Sequence, residues 1–337
     1  MKRVTVSAVD TVEVVSAVAP SLRPDEARVR TIVVGICGSD VHACHGRHPF
    51  VPLPYNPGHE VVGEVIEVGR HDLDIRVGDR VIVEPTLPCW DCKMCRTGRS
   101  NICEKLQFFG CGYEQGGLAE EFTVPTNRLH RVADEIADLD AVLIEPLATP
   151  VHAVRLAGDV RDKAVAIIGS GTIGLLTLKA LRHAGARRVV MTDVLAQKRD
   201  VALAFGADVV IDGARPDAAD AVRTALGESA DAVFDCVAVQ ATVDQATTMA
   251  SKGGTVIIVG VAAKPVSVPL PQIQDLQLRL QGAATYLSED YDVAVEIIRS
   301  GAVSAAEFVT SRFEFDDAAD AFAAAARGTE VKVIVTT

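Results

Sequence analysis

Residues 164–193 read AVAIIGSGTIGLLTLKALRHAGARRVVMTD. An apolar run, Val165–Ile168, leads into Gly169-Ser170-Gly171-Thr172-Ile173-Gly174. A helical pattern then runs from Thr172 to about Ala184, and a second apolar run, Arg188–Thr192, ends at Asp193. Strand, glycine turn and helix in this order form a phosphate cradle. Gly169 permits a tight turn, Gly171 lets a pyrophosphate approach the backbone, and Gly174 lets helix and strand pack closely. The free amides and partial positive charge of a helix start face the phosphates. Asp193 comes nineteen residues after Gly174. A carboxylate there accepts hydrogen bonds from both ribose hydroxyls and repels a 2′-phosphate, which points to NAD rather than NADP. Lys198 would flank the adenosine. The same outline fits a glycine turn in a non-binding α/β domain, and Asp193 has a plainer reading as a helix cap.

The pattern continues on the C-terminal side. Leu195–Phe205 reads as a helix, and Asp208–Ile211, Ala232–Asp235 and Thr255–Val259 read as further strands. Strand–helix alternation with apolar strands implies a parallel sheet covered on both faces. Toward the N-terminus the texture differs. Arg28–Cys37, Val61–Gly69 and Asp79–Glu84 are short alternating runs broken by Gly and Pro, as in an all-β barrel. After residue 285 come helices at Ser288–Arg299 and about Asp316–Ala326, then a strand, Val331–Val335. The fold class is therefore α/β plus all-β. Residues 1–148 form one domain, 149–285 the α/β domain, and periodicity leaves the attachment of 286–337 open. Pro146 and Pro150 bracket the first boundary, with a helix resuming over Val151–Ala157.

Composition excludes several classes. The 337 residues are 49% hydrophobic and 23% charged, which is the profile of a globular chain. Lys+Arg 33 against Asp+Glu 45 leaves −12, a charge that repels a phosphate backbone, so no nucleic-acid partner is expected. No apolar run is long enough for a membrane span. The start, MKRVTVSAVDTVEVV, alternates like a strand and does not resemble an export signal. A cytoplasmic location is the expectation.

Eight cysteines are too few to build a fold of this size from disulfides. Cys89, Cys92, Cys95 and Cys103 form C-x2-C-x2-C-x7-C. Four thiolates at this spacing can close a tetrahedron around zinc and leave no open position, which describes a structural site. A more scattered set comprises Cys37-Gly38-Ser39-Asp40-Val41-His42, Gly58-His59-Glu60 and Glu145. Thiolate, imidazole and carboxylate suit a catalytic zinc with one exchangeable position. Taken singly, Cys37 also reads as a core cysteine, His59 as a turn residue and Glu145 as a helix start. Cys44, Cys111 and Cys236 read as buried small side chains, and His45 and His48 as surface residues.

Together these motifs resemble the zinc-dependent medium-chain dehydrogenase/reductase family over essentially the whole chain. A carboxylate at Glu145 is similar to the polyol, threonine and butanediol branch. The resemblance implies a GroES-like β-barrel catalytic domain and a Rossmann domain, with residues 286–337 returning to the catalytic domain. It implies Cys37 and His59 as ligands of a catalytic zinc, with Glu60 and Glu145 binding the ion or its water. Ser39 would contact the substrate alcohol, and His42 would end a proton relay through the cofactor ribose. Asp40 would orient a ligand histidine, and Tyr286 would line the substrate pocket. Sorbitol enzymes tend to carry an arginine where this chain has Thr285 and an aromatic where it has Ala43. Phe108 and Phe109 read equally as pocket wall and as core.

The implied activity is hydride transfer between NAD and a secondary alcohol of a polyol, sugar or cyclitol. The site would lie in the crevice between the domains, in a homodimer or homotetramer. Two other readings stay open: a threonine or small-diol dehydrogenase, and a non-enzymatic NAD-binding zinc protein.

Overall fold

The computed structural model describes residues 1–70 and 75–337. Two compact units divide it: Met1–Pro146 together with Leu287–Thr337, and Leu147–Tyr286. The elements that matter below are, in chain order, β1 (Glu26–Ile36), α1 (Gly38–Cys44), β2 (Glu60–Val68), β3 (Arg80–Val83), β4 (Glu121–Pro125), β5 (Leu129–Arg131) and α2 (Ile144–Ala157). They continue with β6 (Ala164–Ile168), α3 (Thr172–His183), β7 (Arg188–Asp193), α4 (Ala196–Ala204), β8 (Val209–Asp212), β9 (Ala230–Asp235), β10 (Ala250–Ile258) and β11 (Arg279–Gly282). The last are α5 (Ser288–Arg299), β12 (Val309–Glu314), α6 (Ala318–Ala326) and β13 (Lys332–Thr336).

The first unit is built around a seven-stranded sheet, ordered β12-β13-β1-β2-β3-β5, with β4 also on β1. The length of β1 makes this possible. Its N-terminal part, Glu26–Arg30, pairs with β4, and its C-terminal part, Val33–Ile36, pairs with β13. The pairing of Val333 with Ile36 ties the C-terminal segment into this unit. The core is mostly valine from strands, filled in by alanines of α1 and α6 and closed by Phe109 and Phe122 with ring centroids 4.9 Å apart. Low aromatic content thus gives a core of β-branched residues, which suit pleated strands.

The second unit is a six-stranded parallel sheet in the order β8-β7-β6-β9-β10-β11. Every residue of β6 is buried, as a strand covered on both faces requires. The order reverses between β6 and β9, and in such sheets ligands gather at the carboxyl ends of strands at this switch point. Of the expected strand Thr255–Val259, Thr255–Ile258 belong to β10 and Val259 lies just past its end; β10 is one position in from the edge, where β11 covers it.

One expectation is corrected. Pro146 and Pro150 do not interrupt a helix, because α2 runs unbroken from Ile144 to Ala157 with Pro150 inside it. Pro146 falls in the first turn, where amides lack intrahelical acceptors and a missing N–H costs little.

Candidate metal and nucleotide sites

The first cluster forms where β1 ends and β2 begins. These strands are antiparallel neighbours with Gly35 opposite Glu60, so the residues just beyond the pair, Cys37 and His59, are brought together. Donor atoms of Cys37, His59 and Glu60 all lie within 4.8 Å of one another. Cys37 caps α1, and its N–H donates to Asp40 Oδ2 at 3.1 Å. That turn presents Ser39 Oγ 3.5 Å from His59 Nε2. On the other side of the ring, His59 Nδ1 lies 3.8 Å from Asp40 Oδ2 and has no hydrogen-bond partner although it is buried. The edge-on ring of Phe108, 5.6 Å away, shields the imidazole. An unpartnered buried nitrogen beside a carboxylate suits a histidine whose other nitrogen serves a metal.

Charge is concentrated here. Burial pushes Asp40 up, with His59 and the Cys37 amide opposing. Burial works against charging of His59, but Asp40 and Cys37 outweigh it and hold His59 well above the ordinary histidine range. Tyr55 donates its hydroxyl proton to the Asp40 carbonyl at 3.2 Å and anchors the turn. Glu145, buried in the first turn of α2, lies outside the tight donor set yet contributes charge at His59 and Cys111. A carboxylate is favoured at a helix start by the macrodipole.

Lys332 was not foreseen from the sequence. Its Nζ donates to both oxygens of Glu60, each at 2.7 Å, and the pair is buried. Burial pulls the ammonium down, but Glu60 and Cys37 prevail and keep it above its usual value. Because β13, β1 and β2 are consecutive in the sheet, Glu60 must reach across β1 to meet Lys332. Gly35 makes the passage: a Cβ there would sit 1.9 Å from Glu60 Oε2.

The second cluster joins Cys89, Cys92, Cys95 and Cys103, again with all sulfurs within 4.8 Å. Individual separations are 3.5 Å (Cys92–Cys95), 3.8 Å (Cys92–Cys103) and 3.4 Å (Cys89–Cys103). A tetrahedron with zinc–sulfur bonds of about 2.3 Å has edges of about 3.8 Å. Backbone amides point at the sulfurs. Those of Cys95 and Glu104 donate to Cys92, and those of Cys89 and Lys105 to Cys103. The two amides lower Cys92 to about 6, the direction a thiolate ligand needs. The donor set fits a closed zinc site.

A buried polar hub fastens this lobe. The Arg128 guanidinium lies 4.9 Å over the Trp90 ring and donates to Glu84 at 2.6 Å. Glu84 also accepts from Thr86 (2.9 Å) and Ser288 (2.7 Å), and pairs with His130 at 2.9 Å. His130 stacks on Tyr291, centroids 4.6 Å apart.

The glycine turn lies in the second unit at the carboxyl end of β6. Gly169 has φ +95°, and a Cβ on Gly174 would meet the Gly169 carbonyl oxygen at 1.9 Å, so both positions require glycine. Gly171 caps α3, and Thr172 and Ile173 open it. Ser170 Oγ is buried without a partner beside this helix start, a free hydroxyl of the kind a phosphate satisfies. Asp193 closes β7. Its Oδ2 accepts from the Ser170 amide at 2.8 Å and its Oδ1 from the Leu195 amide at 2.9 Å. Lys198 lies half-buried on α4. Arg199, overlooked in the sequence, donates to the Asp193 and Val194 carbonyls, each at 3.0 Å. These residues fit a dinucleotide.

His42 is exposed on α1, and Tyr286 is buried at the end of the second unit. Phe109 is core while its neighbour Phe108 faces His59. Cys111 is only partly buried, and its thiol feels His59, Asp40 and Cys37. His45 pairs with Asp10.

Residues 23–134 match the alcohol dehydrogenase GroES-like domain family, and residues 172–300 match the zinc-binding dehydrogenase family. An L-idonate 5-dehydrogenase of Vitis vinifera is 33% identical, across 95% of this chain and 90% of that protein. A sorbitol dehydrogenase of Arabidopsis thaliana is 32% identical, across 97% of this chain and 92% of its own length. The NADP-bound structure of a protein described as a zinc-binding dehydrogenase, from Sinorhizobium meliloti 1021, superposes with a TM-score of 0.92 at 32% identity, covering 100% of this chain and 99% of that one.

Proposed function

The chain belongs to the zinc-dependent medium-chain dehydrogenase/reductase family, and from that premise we propose that it interconverts a secondary alcohol of a polyol or sugar and its ketone, with NAD as hydride carrier. The observation that carries this reading is the convergence of Cys37, His59 and Glu60 within 4.8 Å, with Ser39 Oγ at 3.5 Å from His59 Nε2.

Cys37 and His59 would hold a zinc ion, with Glu60 or Glu145 as the third ligand and the other holding the ion's water, which leaves one position open to substrate. Its Lewis acidity makes a hydroxyl easy to deprotonate; for water the same effect lowers the pKa from about 15.7 to about 7. Ser39 Oγ would accept the alcohol's proton as its own hydroxyl proton moves on to the ribose hydroxyl of a bound cofactor. His42, exposed on the same helix, would take the proton from that ribose and release it to solvent, a task suited to an imidazole. Asp40, itself tied to the Cys37 amide, orients His59. Phe108 keeps one side of His59 dry.

Asp193 supports NAD over NADP, since two backbone amides fix its carboxylate at the end of β7, where a 2′-phosphate would be repelled. The four-thiolate lobe would hold a second zinc as a structural element. Cysteines gathered as metal ligands suit a reducing, cytoplasmic compartment, and the family resemblance suggests a homodimer or homotetramer.

The test is a substrate panel of polyols, aldonates, threonine and small diols, followed by nicotinamide absorbance on a sample of measured zinc content. NAD-dependent turnover of a polyol or aldonate is expected. Turnover of threonine with none of any polyol would overturn the substrate assignment. Zinc-loaded protein that binds nicotinamide and oxidises no alcohol would support the non-enzymatic reading instead.

A further inference from the structure

Two aspartates close neighbouring parallel strands side by side. Asp193 ends β7, Asp212 ends β8, and the two are paired in register. Like charges so placed repel, and a cation lies between them. Arg199 reaches back from α4. Its Nη1 donates to the Asp193 and Val194 carbonyls, each at 3.0 Å, and stands 3.4 Å from Asp212 Oδ1. The Gly213 amide donates to the same Asp193 carbonyl at 3.1 Å, so both strand ends and Arg199 are knitted together. The charges are distributed unevenly. Among the described residues the Asp193 carboxylate has two neutral partners, the Ser170 and Leu195 amides, and no ion pair. Arg199 is balanced by Asp212 instead. The next cation along the chain, Arg215, is taken by both oxygens of Asp217 at 2.6 and 2.7 Å.

NADP differs from NAD by a 2′-phosphate, an anion that meets the net charge around the end of β7. An arginine beside that strand end is the kind of group that accommodates such a phosphate. Arg199 is a group of this kind, and unopposed it would offset the repulsion that Asp193 supplies. We propose that Asp212 is a specificity-determining residue for the nucleotide: it balances the Arg199 guanidinium, so that the Asp193 charge still selects against a 2′-phosphate. The proposal rests on the dinucleotide reading above and extends discrimination from one aspartate to three residues on two strands and a helix. Arg199 and Asp212 are 22% and 45% exposed at the side chain, so water screens the effect. A change of about twofold to fivefold in the ratio of dissociation constants is expected for removing either charge.

The experiment measures Kd for NAD and for NADP by calorimetry, with no alcohol present. Wild type, Asp212→Asn, Arg199→Met and the double variant are compared. Asp212→Asn keeps the side chain's shape and its acceptor for the Ala214 amide, 3.0 Å away, and removes only the charge. Asp212→Asn should shift the ratio toward NADP by the factor given, Arg199→Met should shift it toward NAD, and the double variant should return near the wild-type ratio. Raising salt from about 0.1 M to about 1 M shortens the screening length from about 10 Å to about 3 Å, so the Asp212→Asn shift should fade. Opposite signs are what charge requires. Shifts of the same sign in the two single variants would mark a packing role around Asp193 and overturn the proposal. An unchanged ratio in Asp212→Asn would also overturn it, as would a shift that persists at high salt, and these two results decide the matter even if Arg199→Met does not fold. Folded wild-type protein that binds neither nucleotide would overturn the dinucleotide reading, and this proposal with it.

Discussion

Replacing Lys332 by Met removes the ammonium that neutralises Glu60 and leaves similar bulk. Nζ holds both carboxylate oxygens at 2.7 Å and the Ile36 carbonyl at 3.4 Å, and the two side chains are 3% and 1% exposed. Glu60 cannot turn to water, because it is enclosed in the gap over Gly35. Removing one member of a buried pair strands the other charge, at a cost of about 3–5 kcal/mol. For a unit of roughly 200 residues each kcal/mol shifts Tm by about 2–4 °C, so a fall of about 6–20 °C is expected. Urea denaturation of chelator-treated protein is the suitable assay, because bound metal would add its own stabilisation. The double variant Lys332→Met/Glu60→Gln removes both charges and should recover much of the loss. A Lys332→Met cost below about 1 kcal/mol, or strict additivity of the two single variants, would refute the claim of a coupled buried pair.

Three further outcomes are expected. Cys89→Ser should lower thermal stability and release one metal equivalent by elemental analysis, with little change in turnover at low temperature. Asp193→Ala should narrow the preference for NAD over NADP by about tenfold in kcat/KM, since the fixed negative charge is gone. Glu84→Gln should cost about 3 kcal/mol at neutral pH, measured by urea titration. Burial alone would raise Glu84, but His130, Arg128 and Ser288 hold it below 4.5. Its contribution is therefore complete above the unfolded value and lost as pH falls through the lower folded one. The gap between wild type and Glu84→Gln should narrow as pH falls below the ordinary glutamate range.

The glycine turn and the four-cysteine lobe are legible in the sequence because each is local. Gly169 to Gly174 and Cys89 to Cys103 act through chemistry that spacing alone specifies. The Cys37–His59 meeting is half-legible: both follow or precede a readable strand, but their contact depends on the register that sets Gly35 opposite Glu60. Lys332 lies 272 positions from Glu60, and only the placement of β13 against β1 connects them. One signal was available, a lysine opening the wholly buried strand KVIVT. A buried lysine demands a partner. Phe108 and Phe109 could not be separated by composition, since adjacent residues on an extended chain face opposite ways. Pro150 misled because proline inside a helix is rare, yet α2 runs through it.

The central claim is that the cluster at Cys37 and His59 holds the ion on which alcohol oxidation depends. The most direct measurement is zinc content and NAD-dependent turnover on the same preparations of wild type and Cys37→Ser, with nicotinamide binding followed by calorimetry. The account predicts that Cys37→Ser keeps its fold, its nicotinamide affinity and the zinc of the four-cysteine lobe, but loses the other ion and all turnover. Undiminished alcohol oxidation by Cys37→Ser, or loss of both ions together with the fold, would contradict it.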